Sequence, residues 1–200
     1  ELLWMYRLDE GERGRASFTG GGRGVAYWTD NKGDERVYLV TPGYQLIALD
    51  AKTGKLVTSF GTNGVLMGIT PDSPPSIYRN VLITHGDFEP GKGKTVRGWD
   101  VVTGKPLWTW YAKAQPGDPN REKTWLNGSA ESNISPDIWG TTTLDPDRGL
   151  VFVPIETTPG TGEHPGNNLY SDCVVALDAL TGKMVWYQQQ VHQPQGDDDT

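Results

Sequence analysis

Cysteine is nearly absent from this 200-residue chain. The lone Cys173 excludes an intrachain disulfide, and beside an apolar run it reads as a small buried residue. No window approaches the roughly 20 consecutive apolar residues of a membrane-spanning helix. Cations are outnumbered, 18 Lys and Arg against 25 Asp and Glu, for a net charge of −7. Nucleic acid is therefore disfavoured as a partner, because displacing its counterions takes clustered Lys and Arg. No basic-then-apolar leader opens the chain, so no targeting signal is read. Histidine is scarce, and His85, His164 and His192 lack zinc spacing. Ser73 and Ser129 lack a nucleophile elbow. Convincing amphipathic helices are missing too, which leaves an all-β reading.

What the chain has in plenty is Gly (26), Pro (14) and Trp (8), which suits many short strands joined by tight turns. One stretch recurs. Ile47-Ala48-Leu49-Asp50-Ala51-Lys52-Thr53-Gly54, Val96-Arg97-Gly98-Trp99-Asp100-Val101-Val102-Thr103-Gly104 and Val175-Ala176-Leu177-Asp178-Ala179-Leu180-Thr181-Gly182 are three copies. Each reads as a hairpin: an apolar strand ending at Asp, a Thr-Gly turn, then a second strand. Four residues past the Gly stand Trp108 and Trp186; in the first copy Thr58 holds that place. Leu2-Leu3-Trp4 looks like the end of a fourth copy. The Asp positions 50, 100 and 178 lie 50 and 78 residues apart. A four-stranded propeller blade takes about 40 to 50 residues, so the wider gap holds a blade and a long insertion. The chain opens within a repeat and is expected to be a segment of a longer protein, too few blades to close a ring.

Between the copies, residues 1–6 are expected to end a strand and Arg7 to Arg15 to form a loop. Strands are expected at 36–40 and 81–84, with a polar loop over 85–95. Ala112 to Asn133 reads as long and irregular, the kind of loop that is usually functional or mobile. A hairpin is expected from Trp139–Thr143 and Gly149–Ile155, turning on Asp145-Pro146-Asp147-Arg148.

Ala-x-Asp-x-x-Thr-Gly-x-x-x-Trp resembles the tryptophan-docking motif of the quinoprotein dehydrogenases, eight-bladed β-propellers that use pyrroloquinoline quinone (PQQ). Arg23-Gly24-Val25-Ala26-Tyr27-Trp28, Thr41-Pro42-Gly43-Tyr44, Val96-Arg97-Gly98-Trp99-Asp100, Trp139-Gly140 and Gly149-Leu150-Val151-Phe152-Val153-Pro154 resemble that family's segments in the same order. The likeness covers nearly all of residues 1–200, read as part of one propeller domain. It implies an oxidoreductase that takes hydride from the CH–OH carbon of an alcohol or sugar. Electrons would pass to a cytochrome or a membrane quinone, and the location would be the periplasm.

The resemblance also assigns residues. Arg23 would pair with a carboxylate of the quinone, a task for a planar, permanently charged fork. Trp139 would form the floor beneath the flat rings. A divalent cation, Ca²⁺ or Mg²⁺, needs hard oxygen ligands. Asp87, with Glu89 in reserve, Thr158 and Asp197 would supply them. Asp197 would also be the general base, with Asp199 at the place of a later acid. Gly196 replaces the Trp that precedes the base in the family, and Gln193-Pro194 replaces the usual pair. Gly20-Gly21-Gly22 stands where the alcohol branch often carries adjacent cysteines, which points away from the methanol and ethanol enzymes toward a glucose-like or unassigned branch. On residue types alone, Arg23 is a solvated loop charge and Asp197-Asp198-Asp199 a solvated run. The rival is a non-catalytic propeller scaffold that binds other proteins.

Overall fold

The computed structural model describes residues 2–16, 24–70, 73–132, 135–156 and 165–192. Among them, twelve strands form three four-stranded sheets. The first has the order β1-β2-β3-β4: Ala26–Thr29, Glu35–Thr41, Gln45–Asp50 and Val65–Met67. The second has the order β5-β6-β7-β8: Ser76–Tyr78, Val81–Glu89, Gly93–Asp100 and Pro106–Tyr111. The third has the order β12-β11-β10-β9, with β9 at Thr143–Asp145, β10 at Leu150–Ile155, β11 at Cys173–Asp178 and β12 at Met184–Gln189.

The pattern of each strand follows its place. β2 and β10 alternate, burying Arg36, Tyr38 and Val40 in one and Val151, Val153 and Ile155 in the other, as a period of two requires. β3 and β11 are inner strands and read as almost unbroken apolar runs, buried on both faces. Cys173 opens β11 fully buried, and that burial pushes its thiol pKa up to about 12, as expected of an inert core thiol.

The chain divides into two compact units, Glu1–Thr84 with Trp99–Leu107 and His85–Gly98 with Trp108–Thr200. The first is built on Trp28, Tyr38, Val40, Leu46, Phe60, Ile69, Leu82 and Val101. In the second, Trp125, Ile138, Val151, Val153, Tyr170, Val175 and Leu177 are buried.

Several sequence expectations are corrected. Residues 2–6 are not strand, and a short helix, α1 (Gly11–Ala16), stands in the expected loop. Glu10 explains the adjacent order: its carboxylate accepts from Thr41 Oγ1, from Gly43 N–H at 2.9 Å and from Gln45 Nε2 at 2.9 Å. The expected polar loop over 85–95 is mostly strand, since β6 runs on to Glu89 and β7 begins at Gly93. Charged residues persist there because they pair, as described below. Trp139 lies in coil ahead of β9. The insertion over 112–133 carries α2 (Arg121–Thr124) and a 3₁₀ turn (Ser129–Glu131).

Each Thr-Gly turn has the same wiring. Asp Oδ1 accepts from the Thr N–H and Thr hydroxyl at 2.7 to 2.8 Å in all three copies. The Gly N–H donates back to the Asp carbonyl at 2.8 Å, and each Gly has φ near +70°. An aromatic ring from the preceding copy lies on that glycine. Trp4 lies on Gly54, Phe60 on Gly104 and Trp108 on Gly182. Phe60, two residues past Thr58, thus serves the copy that has no Trp. Trp4 Nε1 donates to Ala51 O at 2.9 Å, and Tyr38 Oη to Val101 O at 2.6 Å, the same position one copy on. Trp108 also crosses Gly98 of its own sheet, and Trp186 pairs with Ala176, so in the second and third copies the small residue two before the Asp makes room for an indole.

A methyl group at Gly182 would overlap Cε3 of Trp108 at a φ of +68°. Gly182→Ala is expected to cost about 3 kcal/mol, from overpacking and left-handed strain together. Gly117→Ala, at φ +93° with open space around it, should lose only about 1 kcal/mol. Chemical denaturation of both variants measures the difference.

Candidate functional site

The end of β6 carries Asp87 and Glu89 two residues apart, and β7 runs beside it. Thr95 Oγ1 donates to the Asp87 carbonyl at 3.0 Å. Arg97, also on β7, reaches both carboxylates: its two terminal nitrogens stand 3.4 Å from Asp87 Oδ2 and 2.8 Å from Glu89 Oε1. Tyr111, ending β8, donates its hydroxyl to Glu89 Oε2 at 2.9 Å, and Lys92 in the β6–β7 turn lies 3.3 Å from the same oxygen. Hydrogen bonds from Tyr111 and Lys92, with the nearby Arg97 charge, outweigh partial burial and hold the Glu89 carboxyl below its usual range. Asp87 is only 5% exposed. A buried carboxylate requires such a cation, and here Arg97 provides it.

Trp139 is presented by a segment pinned to the same strand. Lys94 of β7 donates its backbone N–H to Ser135 Oγ at 3.0 Å and its ammonium lies 3.1 Å from Asp137 Oδ1. The Asp137 carbonyl accepts from Glu156 N–H at 3.0 Å, and Ile138 is fully buried. Gly140, at φ +89°, turns the chain directly afterwards. With its neighbours fixed, the Trp139 indole remains 57% exposed. An open indole on an anchored backbone is a surface on which a flat aromatic ligand can stack.

The insertion upstream is held by buried cations. Lys113 Nζ donates to Ser132 O at 2.6 Å and sits 4.8 Å from the Trp125 ring centroid. Arg121 donates to Ala114 O and Ala130 O and pairs with Glu131 at 2.8 Å. Burial, aided by the Arg121 charge, lowers the Lys113 pKa to about 8. His85, buried in β6, has its pKa lowered to about 4, chiefly by burial and further by the Lys94 charge, against a smaller opposing pull from Asp137.

Of the residues chosen from the sequence, Asp87 and Trp139 are both tied to β7, Asp87 through Thr95 and Arg97 and Trp139 through Lys94. Glu89 joins Asp87 on the same cation. Arg23, Thr158, Asp197 and Asp199 lie outside the described residues, as do Gly20 to Gly22. Among the described residues no group of three His, Cys, Asp or Glu side chains could hold a metal ion. The exposed Trp139 indole fits a flat cofactor, whereas the Asp87 carboxylate, a suitable hard donor, already faces Arg97. Sequence reasoning missed Arg97 as the partner of two carboxylates, and missed Tyr111, Lys94, Ser135 and Asp137. The Asp-x-Glu pair, followed by two glycines and an Arg eight residues after the Glu, was the available signal for a charged hairpin.

Removing Arg97 would leave Asp87 buried without its cation. Arg97→Met is expected to cost about 3 kcal/mol, and Asp87→Asn in the same chain to recover most of it. Urea denaturation of the single and double variants tests the coupling. Acid stability carries a second expectation. His85 stays neutral in the fold down to about pH 4, whereas the unfolded chain takes up a proton near pH 6.5. Stability from this residue is therefore fully present above pH 6.5 and falls as pH drops toward 4, by about 3 kcal/mol. A His85→Gln variant should flatten that slope in denaturation curves taken across the interval.

The whole chain, residues 1–200, matches the glucose/ethanol/alcohol dehydrogenase β-propeller domain family. The large subunit of glycerol dehydrogenase from Gluconobacter oxydans (strain 621H) is 28% identical over 223 residues, covering 98% of this chain and 29% of that protein. The dehydrogenase subunit of a quinone-linked alcohol dehydrogenase from Komagataeibacter europaeus is 31% identical over 229 residues, covering 98% of this chain and 30% of the relative. The structure is similar to that of a europium-containing methanol dehydrogenase, with a TM-score of 0.73 at 23% identity over 98% of this chain and 37% of the other, a likeness of fold. The chain thus spans about three-tenths of the length of these curated relatives.

Proposed function

Since the chain belongs to the glucose/ethanol/alcohol dehydrogenase β-propeller family, we propose that it supplies three blades of an eight-bladed PQQ-dependent oxidoreductase acting on the CH–OH group of an alcohol or sugar. The observation that carries this reading is the anchored, open indole of Trp139, tied to the strand that also holds Asp87. The relatives, dehydrogenases of glycerol and of alcohol linked to quinone, point the same way. The repeat supports the ring. Trp186 stands four residues past Gly182, as Trp108 does past Gly104, and is 42% exposed, ready for a further Thr-Gly turn.

In this reading the quinone, when bound, accepts the hydride from the substrate carbon. Trp139 would carry the flat face of the cofactor, on a backbone held at Ser135 and Asp137. Arg23 pairs with one of the cofactor carboxylates through a bidentate fork. Asp87 and Thr158 offer oxygen ligands to Ca²⁺ or Mg²⁺, with Arg97 holding the Asp87 carboxylate in place. Asp197 would offer a further oxygen to the cation and would take the proton of the substrate hydroxyl as general base. Electrons leave to a cytochrome or a membrane quinone, and the protein works in the periplasm. A scaffold without cofactor would share the aromatic-on-glycine turns. It would have no use for an exposed indole held so firmly.

Reconstitution of the full-length protein with PQQ and calcium tests the reading. Expected are a bound-quinone absorbance and dye reduction with alcohols, polyols or aldoses. Asp197→Asn should lower kcat by about 10²-fold or more while the absorbance persists. Trp139→Ala should weaken quinone binding by about tenfold. A protein that takes up no quinone and turns over no substrate is the scaffold instead.

A further inference from the structure

The second unit has a cavity of about 380 Å³, which none of the residues discussed above as cofactor or metal candidates lines. That volume is in the range of small-molecule sites, roughly 300–1,000 Å³. Its wall mixes hydrogen-bond donors with acceptors. Gln189 is 7% exposed and fixed: its Nε2 donates to Asn167 O at 2.8 Å and to Ser171 O at 3.1 Å. Both amide hydrogens are thereby used, and Oε1 is what Gln189 has left to offer. Asn120 Nδ2 spends one hydrogen on the Tyr170 hydroxyl at 3.4 Å, which leaves its second N–H and Oδ1. Gln188 gives one Nε2 hydrogen to the Gln189 carbonyl at 3.2 Å and keeps the other N–H and its own Oε1. Donors come from the Lys123 ammonium and from His192. Asn167 Nδ2 lies 3.4 Å from His192 Nδ1. That contact makes Nδ1 the acceptor and leaves Nε2–H as the donor. Tyr187 supplies an aromatic wall, held edge-on to Tyr170 with centroids 5.1 Å apart.

This mixture discriminates between ligand classes. An anion would find donors in this wall but would also face three amide oxygens with no hydrogen to give them. A metal ion needs acceptors and would face an ammonium and an imidazole N–H. A hydroxyl group donates and accepts at once, so several on one carbon chain match the alternation. Among the described residues the wall contains no carboxylate. We propose that this cavity is a binding subsite for a neutral polyhydroxylated ligand, a polyol or a monosaccharide, held by Asn120, Lys123, Gln188, Gln189 and His192. The proposal concerns binding alone and needs no quinone, so it stands or falls separately from the oxidoreductase reading.

Saturation-transfer NMR on the full-length protein without cofactor tests it, with glycerol and D-glucose as probes and inorganic phosphate and calcium as competitors. Expected is millimolar binding of at least one probe that neither competitor displaces. His192→Ala and Asn120→Ala, the first at an exposed position, should each weaken binding by about fivefold, the worth of one hydrogen bond. Thermal melting checks that both variants remain folded. The proposal is overturned if neither probe receives saturation, if phosphate or calcium displaces the bound probe, or if folded variants bind unchanged.

Discussion

An aromatic ring resting on a glycine of the next repeat is the contact on which the arrangement of this chain depends. Gly54, Gly104 and Gly182 each sit at positive φ in a turn wired by the preceding Asp, and each is covered by a ring from the copy before. A side chain at any of them would be strained; at Gly54 and Gly182 it would also push the indole away, and at Gly104 it would crowd Gly61 N, Leu66 and Phe60 together. The contact is both conformational and steric, and glycine alone satisfies the two demands together. That the first copy uses Phe60 rather than a tryptophan shows what is required: a flat apolar face at that spot, delivered from any position able to reach it. The indole N–H is dispensable. Trp4 donates to Ala51, a tyrosine makes the equivalent bond in the second copy, and Trp108 has its N–H buried without a partner.

With the turns fixed at one end of the hairpins, the opposite ends of the inner strands are free to carry chemistry. β7 illustrates this division. At Asp100 it enters the Thr-Gly turn, whereas near Gly93 it bonds Asp87, Glu89, Ser135 and Asp137. Ordered polar pairs thus replace the apolar packing found elsewhere in the sheets. Burying Asp87 beside Arg97 keeps a charged oxygen near a strand end without an uncompensated charge. The insertion after β8, rather than being loose, is threaded by Lys113 and Arg121, whose cations satisfy carbonyls that would otherwise be stranded.

Much of the fold was legible because the repeat is a physical device with few alternatives. Asp-x-x-Thr-Gly dictates its own hydrogen bonds, and in the second and third copies a small residue two positions earlier accommodates an indole. Trp4 could be read as a fragment of the same device, and it does cover Gly54. Less legible was whatever depended on partners distant in sequence. The stretch 85–95 looked like a loop because His85, Asp87 and Glu89 are polar; their strand conformation follows from Arg97, Thr95 and Tyr111, which composition does not connect to them. The helices at Gly11–Ala16 and Arg121–Thr124 are too short to show a periodicity. Trp139 was singled out through resemblance, while the Lys94–Asp137 and Ser135 contacts that hold the backbone ahead of it emerge only in three dimensions.

The central claim is that the Trp139 indole is the floor of a quinone site whose carboxylates meet Arg23. A crystal structure of the full-length protein grown with PQQ and calcium tests this most directly. The account predicts planar density stacked against Trp139, with the Arg23 guanidinium on a cofactor carboxylate. Density for the quinone lying elsewhere, with Trp139 covered by protein, would contradict it.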